Sequence, residues 1–157
     1  MSGILKFTSS MNSLMRRSAL TQILGTNDRS QKHQLKLSEA DAVEIIEARD
    51  MALKNLGRFE LNFNIIHEII TTFCSSPYIN QLDYAATICD LVEIFYYMKN
   101  ETGDQIGDNE IIGFMRHHFD NQCFGSIELL VGRELESLLE ELRQGRYYGS
   151  LIDDDEE

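Results

Sequence analysis

An acidic loop between two predicted helices is the strongest candidate for metal chemistry. When Glu110 takes the twelfth position of a calcium-binding EF-hand loop over residues 99–110, Ile106 falls on the eighth, where such loops carry an aliphatic residue. Lys99 then occupies the first ligand position, and Asp104 stands where glycine permits the turn. The loop is therefore degenerate, and we keep divalent-cation binding as an alternative, with the acids Glu101, Asp104, Asp108 and Glu110 as ligands.

The three cysteines are candidates for nucleophilic chemistry. Cys74 falls at a predicted helix C-terminus, where the helix dipole opposes a thiolate, and Cys89 lies on an apolar stripe. Cys123 is in a predicted loop just before a helix start and a few residues from His117 and His118, in the kind of setting that lowers a thiol pKa. A cysteine-dependent enzyme acting through Cys123 is the second alternative.

Other catalytic and cofactor patterns are missing from the sequence. It has no Gly-Lys-Ser/Thr phosphate loop, no serine nucleophile elbow and no histidine pair or Glu-x-x-His at metal-ligand spacing. His117 and His118 are adjacent, so on a helix they point about 100° apart and cannot chelate one ion together. We therefore expect no cofactor, and we favour a protein without enzymatic activity.

Two groups of charged residues interrupt apolar surroundings. Arg49, Arg58 and Glu60 bracket the glycine that ends a predicted helix, and Lys99 and Glu101 directly follow an aromatic run. Charged side chains on loops beside aromatic residues are common at recognition surfaces. We predict that these five residues bind a partner, although the sequence does not say whether they meet in space.

The segment 146–157 begins with aromatic residues and ends in a run of five acids. One interpretation is disorder that aids solubility. The other is that Tyr147, Tyr148, Leu151 and Ile152 dock onto the body of the protein or onto a partner. On the second interpretation, Tyr147 and Tyr148 join the predicted partner-binding residues.

The chain of 157 residues is long enough for one hydrophobic core and is strongly acidic. Its formal net charge of −12 disfavours nucleic acid and anionic membrane surfaces as partners. Residues 1–27 nevertheless contain no acid and carry Lys6, Arg16 and Arg17. Complementary charge within one chain favours docking between segments or self-association, so we expect a protein partner or a homo-oligomer.

Three properties indicate a cytoplasmic protein. The longest uninterrupted apolar run, residues 94–98, is far shorter than the ~20 residues of a membrane-spanning helix. The N-terminus lacks the pattern of a secretory signal, although its acid-poor, arginine-bearing composition also has features of a mitochondrial presequence. An odd number of cysteines without close pairs fits free thiols in a reducing compartment.

Apolar periodicity and a single proline predict an all-α fold. Ser38 and Asp41 form a capping box that starts a helix over 39–56, in which Asp50 and Lys54 pair at i,i+4. Apolar periodicity also predicts an amphipathic helix that ends at Gly25 and helices over 64–75 and 80–100. Two further helices are predicted, one that starts at Asp108 and runs for about three turns and one from Ser126 to Gly145.

We therefore predict a single compact bundle of five to six helices around a central buried helix at about 80–100. A basic amphipathic segment, 1–30, precedes the all-α domain, 31–145, and the aromatic-acidic segment 146–157 follows it. The predicted function is that of a non-enzymatic protein-binding or self-associating module.

The sequence also resembles a family of small uncharacterised cytosolic proteins from Gram-positive, largely anaerobic bacteria. The resemblance is carried by Gly57-Arg58-Phe59-Glu60, by the stretches 73–78 and 95–101, and by Gly125-Ser126-Ile127-Glu128. It implies a bacterial cytosolic protein, and it disfavours the mitochondrial interpretation of the N-terminus. It implies no activity, cofactor or catalytic residue.

Overall fold

The computed structural model describes residues 2–144, with side chains described for residues 13–132, 135–137, 139–141, 143 and 144. All regular elements of residues 2–144 are helical, so the predicted all-α class is confirmed. They are α1 (Ser2–Gly25), α2 (Asn27–Ser30), a 3₁₀ turn (Gln31–His33), α3 (Glu39–Asn55), α4 (Asn64–Phe73), α5 (Tyr84–Glu101), α6 (Asp108–Asn121), α7 (Ile127–Val131) and α8 (Arg133–Gln144).

Helix α5 lies at the centre of the core. It packs along α3 and also contacts α4, α6 and α7. Its apolar residues recur on more than one face, and a helix that is apolar on several faces is stable only when neighbouring helices cover those faces. The side chains of α5 that are buried are Tyr84, Ile88, Leu91, Val92, Ile94, Phe95, Tyr96 and Met98.

Local signals place the start of α3 and the start of α7. The Ser38 hydroxyl accepts from the Asp41 backbone N–H at 3.0 Å, and the Asp41 carboxylate accepts from the Ser38 N–H at 2.9 Å. This confirms the predicted capping box. Before α7, the Ser126 hydroxyl accepts from the backbone N–H of Leu129 at 3.2 Å. Both serines satisfy backbone donors that a helix start leaves unpaired.

The last predicted helix is interrupted. Helix α7 ends at Val131 and α8 begins at Arg133, with Gly132 between them at φ −83° and ψ −82°. The Gly132 N–H still donates to the Glu128 carbonyl at 2.9 Å, and a Cβ on Gly132 would lie only 3.0 Å from that oxygen. The prediction of one continuous helix was wrong at this residue.

The second half of α1 and the connector after it belong to the same core as α3 and α5. Ala19 and Ile23 of α1 are buried there, together with Leu35 and Leu37. The Asn27 side chain fixes the connector by accepting from the Leu37 N–H at 2.8 Å and donating to the Leu37 carbonyl at 2.9 Å. This packing holds α1 beside α3.

Candidate functional site

A cleft of about 380 Å³ opens between α1, α3 and the loop 58–63, and we call it the loop cleft. Helix α1 supplies one wall, α3 the floor and the loop the other wall. Its lining residues are Met15, Arg16, Arg49, Asp50, Leu53, Lys54, Arg58, Phe59, Glu60, Leu61 and Phe63.

Arg49 fixes the loop wall of the cleft. Its side chain is buried, and one guanidinium nitrogen donates to the backbone carbonyls of Glu60 at 2.6 Å and Asn62 at 2.9 Å. The other terminal nitrogen donates to the Asp50 carboxylate at 2.8 Å, and the guanidinium carbon lies 4.0 Å from the centre of the Phe63 ring. A planar group with five donors can hold two carbonyls and one carboxylate together. The loop is therefore held in place without a strand partner.

Consecutive side chains in the middle of the loop have different surroundings. Glu60 points inward, where its carboxylate accepts from the Tyr96 hydroxyl at 2.6 Å. Burial, and then the Glu60 carboxylate, raise the pKa of Tyr96 above its ordinary value. Phe59 and Leu61 are on the other side, 81% and 58% exposed. The loop thus holds two large apolar side chains in water.

The charges around the loop cleft differ from the predicted pairs. Asp50 is bound by Arg16 as well as by Arg49, so the predicted Asp50–Lys54 pair is wrong. Lys54 is exposed and forms no ion pair with any described residue. The lining contains four cations and only two acids, Asp50 and Glu60. A protein of net charge −12 therefore has a locally cationic cleft.

Two arginines of the cleft have unused donor capacity. The Nε atoms of Arg49 and Arg58 are buried and have no acceptor among the described residues. Arg58 uses another nitrogen to donate to the Asp104 carboxylate at 2.7 Å, and its side chain is 20% exposed. Because both Nε atoms are buried, a ligand in the cleft does not reach them without a rearrangement. The cation that an occupant can reach is the exposed ammonium of Lys54, which suits a carboxylate.

The structure brings Arg49, Arg58 and Glu60 together in the loop cleft and leaves Lys99 and Glu101 outside it. Lys99 pairs with the Asp108 carboxylate at 2.6 Å and donates to the Ile106 carbonyl at 3.1 Å. These contacts close the turn after α5. Glu101 lies 3.9 Å from the Arg143 guanidinium. The other two predicted partner-binding residues, Tyr147 and Tyr148, lie outside the described residues.

The acidic loop of the cation alternative is tied down by cations of the protein itself. Glu101 faces Arg143, Asp104 faces Arg58 and Asp108 faces Lys99. The Glu110 side chain folds back beside Gly107. Among the described residues, no group of three or more histidine, cysteine or acidic side chains could hold a metal ion. No geometry in this part of the chain therefore favours the cation alternative.

Cys123, the residue of the cysteine-enzyme alternative, is buried with 1% of its surface exposed. A nucleophilic thiol needs access to its substrate as well as a lowered pKa. Burial raises the pKa of Cys74, and burial with the nearby acids Glu44, Asp90 and Glu93 raises that of Cys89 to about 12. No described thiol combines exposure with a lowered pKa.

A second concavity, which we call the apolar groove, has a volume of about 460 Å³ between α5, α7 and α8. Its lining is Asp90, Glu93, Ile94, Tyr97, Ile127, Val131 and Leu135. Desolvation raises the pKa of Asp90, and desolvation together with Asp90 raises that of Glu93. The sequence did not predict this groove. Its residues come from three helices, and no local pattern in the sequence indicates how those helices pack together.

Four residues that line the loop cleft were not among the predicted site residues: Arg16, Lys54, Phe59 and Leu61. For Phe59 and Leu61 a signal was present, because period-two alternation in a segment without a strand partner leaves one apolar side uncovered. For Arg16 none was present, since it meets Asp50 across 34 residues of sequence.

No helix in the described part of the chain is long and apolar enough to cross a membrane. No curated protein and no solved structure matches the sequence. A family model described as a family of unknown function, DUF6323, matches residues 22–148, which include every lining residue of the loop cleft except Met15 and Arg16. Since this match covers most of the chain, the protein belongs to the DUF6323 family.

Proposed function

We propose that the protein is a non-enzymatic, cytoplasmic protein-binding module and that the loop cleft is its recognition surface. The observation that carries the proposal is the exposure of Phe59 and Leu61, at 81% and 58%, on a loop whose backbone Arg49 holds in place. Exposed aromatic side chains on a fixed loop beside arginines are typical of binding hot spots.

The magnitudes support recognition of a peptide segment. Burying a large apolar side chain contributes about 1.5–3 kcal/mol, so Phe59 and Leu61 together offer about 3–6 kcal/mol. The free energy lost on association offsets part of this gain, and an exposed ion pair with Lys54 adds only about 0–1 kcal/mol. We therefore expect a complex no tighter than the micromolar range.

The charge of the lining selects the occupant. Lys54, which is exposed and has no ion pair with a described residue, favours a carboxylate, and the exposed Phe59 favours an apolar side chain next to it. The proposed ligand is therefore a protein segment in which large apolar residues adjoin a run of acidic residues. A basic segment would be repelled by Lys54, whose charge no described acid pairs with.

The test is fluorescence anisotropy of the full chain with two labelled synthetic peptides of twelve residues. Both contain two leucines; in one they precede four glutamates and in the other four lysines. We expect micromolar binding of the acidic peptide, weakening at high salt because salt screens exposed charges, and at least tenfold weaker binding of the basic one.

Matched variants assign the binding to the cleft. Phe59→Ser should weaken the acidic peptide about tenfold, because it removes the most exposed apolar side chain of the lining. Leu82→Ser is the control, since Leu82 is 93% exposed and does not line the cleft. Equal binding of the two peptides, or an equal effect of the two serine variants, would overturn the proposal.

A further inference from the structure

Resting on the function proposed above, we infer that the loop cleft is built to receive this chain's own acidic segment, residues 146–157, from the same molecule. The segment has the composition that the cleft selects. Tyr147, Tyr148, Leu151 and Ile152 supply apolar side chains, and five consecutive acids follow at Asp153, Asp154, Asp155, Glu156 and Glu157.

Charge complementarity distinguishes this segment from the rest of the chain. The described body is acidic overall, whereas the cleft lining has four cations against two acids. The longest uninterrupted run of acids in the sequence is therefore matched to a cationic cleft. Lys54 is the cation best placed to meet it, because it is exposed and has no ion pair with a described residue.

The end of α8, where the described residues stop, lies near the edge of the cleft. At the end of α8, Arg143 lies 3.9 Å from Glu101. Asp104, three residues after Glu101 in the sequence, accepts from Arg58 at the cleft. The Cα atoms of Glu101 and Asp104 are therefore separated by no more than about 11 Å. Two ion pairs and one short turn connect the last turn of α8 to the cleft edge.

The segment is long enough to follow that path. Asp153 comes ten residues after Arg143, and ten residues of extended chain span about 33 Å. A short tether also gives the segment an effective concentration near the millimolar range, which a free second copy does not reach at ordinary protein concentrations. Docking within one molecule is accordingly favoured over docking between two.

Occupation by the segment regulates the proposed recognition surface. A segment bound in the cleft covers Phe59 and Leu61 and must leave before another acidic ligand binds. Neutralising all five acids, with asparagine for Asp153, Asp154 and Asp155 and glutamine for Glu156 and Glu157, should therefore strengthen binding of the acidic probe peptide about tenfold.

The direct test is zero-length carbodiimide coupling of lysine amines to carboxylates in the full chain, followed by mass spectrometry. We expect Lys54 to couple to residues 153–157 at least fivefold more than Lys32 or Lys36, which are exposed but do not line the cleft. Lys54→Arg should abolish this product while keeping the charge. Phe59→Ser should reduce it several-fold and Leu82→Ser should not.

An equal mixture of ¹⁴N and ¹⁵N chains separates the possible occupants. Products within one isotope support docking in the same molecule, whereas mixed-isotope products would overturn it in favour of a second copy. No preference for Lys54, with peptide affinity unchanged on neutralising the acids, would overturn the inference and leave the proposed function intact. Failure of the acidic peptide to bind both the native and the neutralised chain would overturn the proposed function itself.

Discussion

The loop cleft and the apolar groove are concavities of similar size, about 380 and 460 Å³, but their lining residues differ in charge. In the cleft, Arg49 and Arg16 hold Asp50, and the cations outnumber the acids. In the groove, Asp90 and Glu93 have no cation among the lining residues, and desolvation raises the pKa of both. Volume alone therefore does not distinguish a recognition site. The arrangement of donors and acceptors around each concavity does.

The largest expected effect is on the side chain that fixes the cleft. Arg49→Ala should lower the free energy of unfolding by about 1–3 kcal/mol for each of the two loop carbonyls that lose their donor, while Asp50 keeps its pair with Arg16. Arg49→Lys should restore little, since an ammonium cannot reproduce the planar fork. Chemical denaturation measures both.

The control for Arg49 is Arg17→Ala, an exposed arginine that does not line the cleft. Its effect should stay within about 0.5 kcal/mol. If Arg49→Ala also stayed within that range, the loop wall would be held by something other than the guanidinium, and the contrast between the two concavities would lose its basis.

A smaller effect is expected to distinguish two neighbouring tyrosines: Tyr96, which donates to a lining residue of the loop cleft, and Tyr97, which lines the apolar groove. Tyr96→Phe removes the hydroxyl that donates to Glu60 and should cost about 1–2 kcal/mol, since hydrogen bonds to charged acceptors contribute more than neutral ones. Tyr97→Phe is the matched change in the apolar groove and should cost less. Equal losses in denaturation would contradict the assigned role of Tyr96.

The pH dependence of Tyr96 has a definite sign. Its folded-state pKa is raised above the ordinary value of 10.0, so the neutral phenol is favoured in the fold. The resulting contribution to stability is fully present below pH 10 and is lost as the pH rises further. The difference in free energy of unfolding between the native protein and Tyr96→Phe should therefore become smaller as the pH rises above 10.

The smallest effect is expected in the groove. Asp90 has a folded-state pKa raised above 3.8 by desolvation, so its charged form opposes folding at neutral pH. Asp90→Asn should raise the melting temperature slightly at pH 7, and the gain should disappear as the pH falls below 3.8. A loss of stability at pH 7 would show that the Asp90 carboxylate makes a favourable contact.

Short-range signals predicted the helices well, and the pairings between them poorly. The α3 capping box spans three residues, and the apolar faces of α5 are visible within one segment, so both are encoded locally. The break at Gly132 was missed because apolar periodicity continues on both sides of it, while the local backbone departs from the helix.

The candidate site shows the same division. Arg49 and Glu60, which the sequence grouped together, both line the loop cleft, but the guanidinium donates to the Glu60 backbone carbonyl, and the Glu60 carboxylate accepts from Tyr96. Sequence spacing predicted an ion pair between Asp50 and Lys54, but helix packing brings Arg16 to the Asp50 carboxylate instead. Local spacing names the residues capable of pairing, and only the tertiary arrangement decides between competing partners.

Asp50 couples two parts of the molecule that are far apart in sequence. One carboxylate is shared by Arg16 on α1 and by Arg49, which grips the loop. Both arginines line the cleft, so a ligand that competed for this carboxylate would act on the packing of α1 and on the loop together, and by reciprocity a change in the packing of α1 would alter the affinity of the cleft. Helix α1 is therefore part of the recognition surface and not only a neighbour of it.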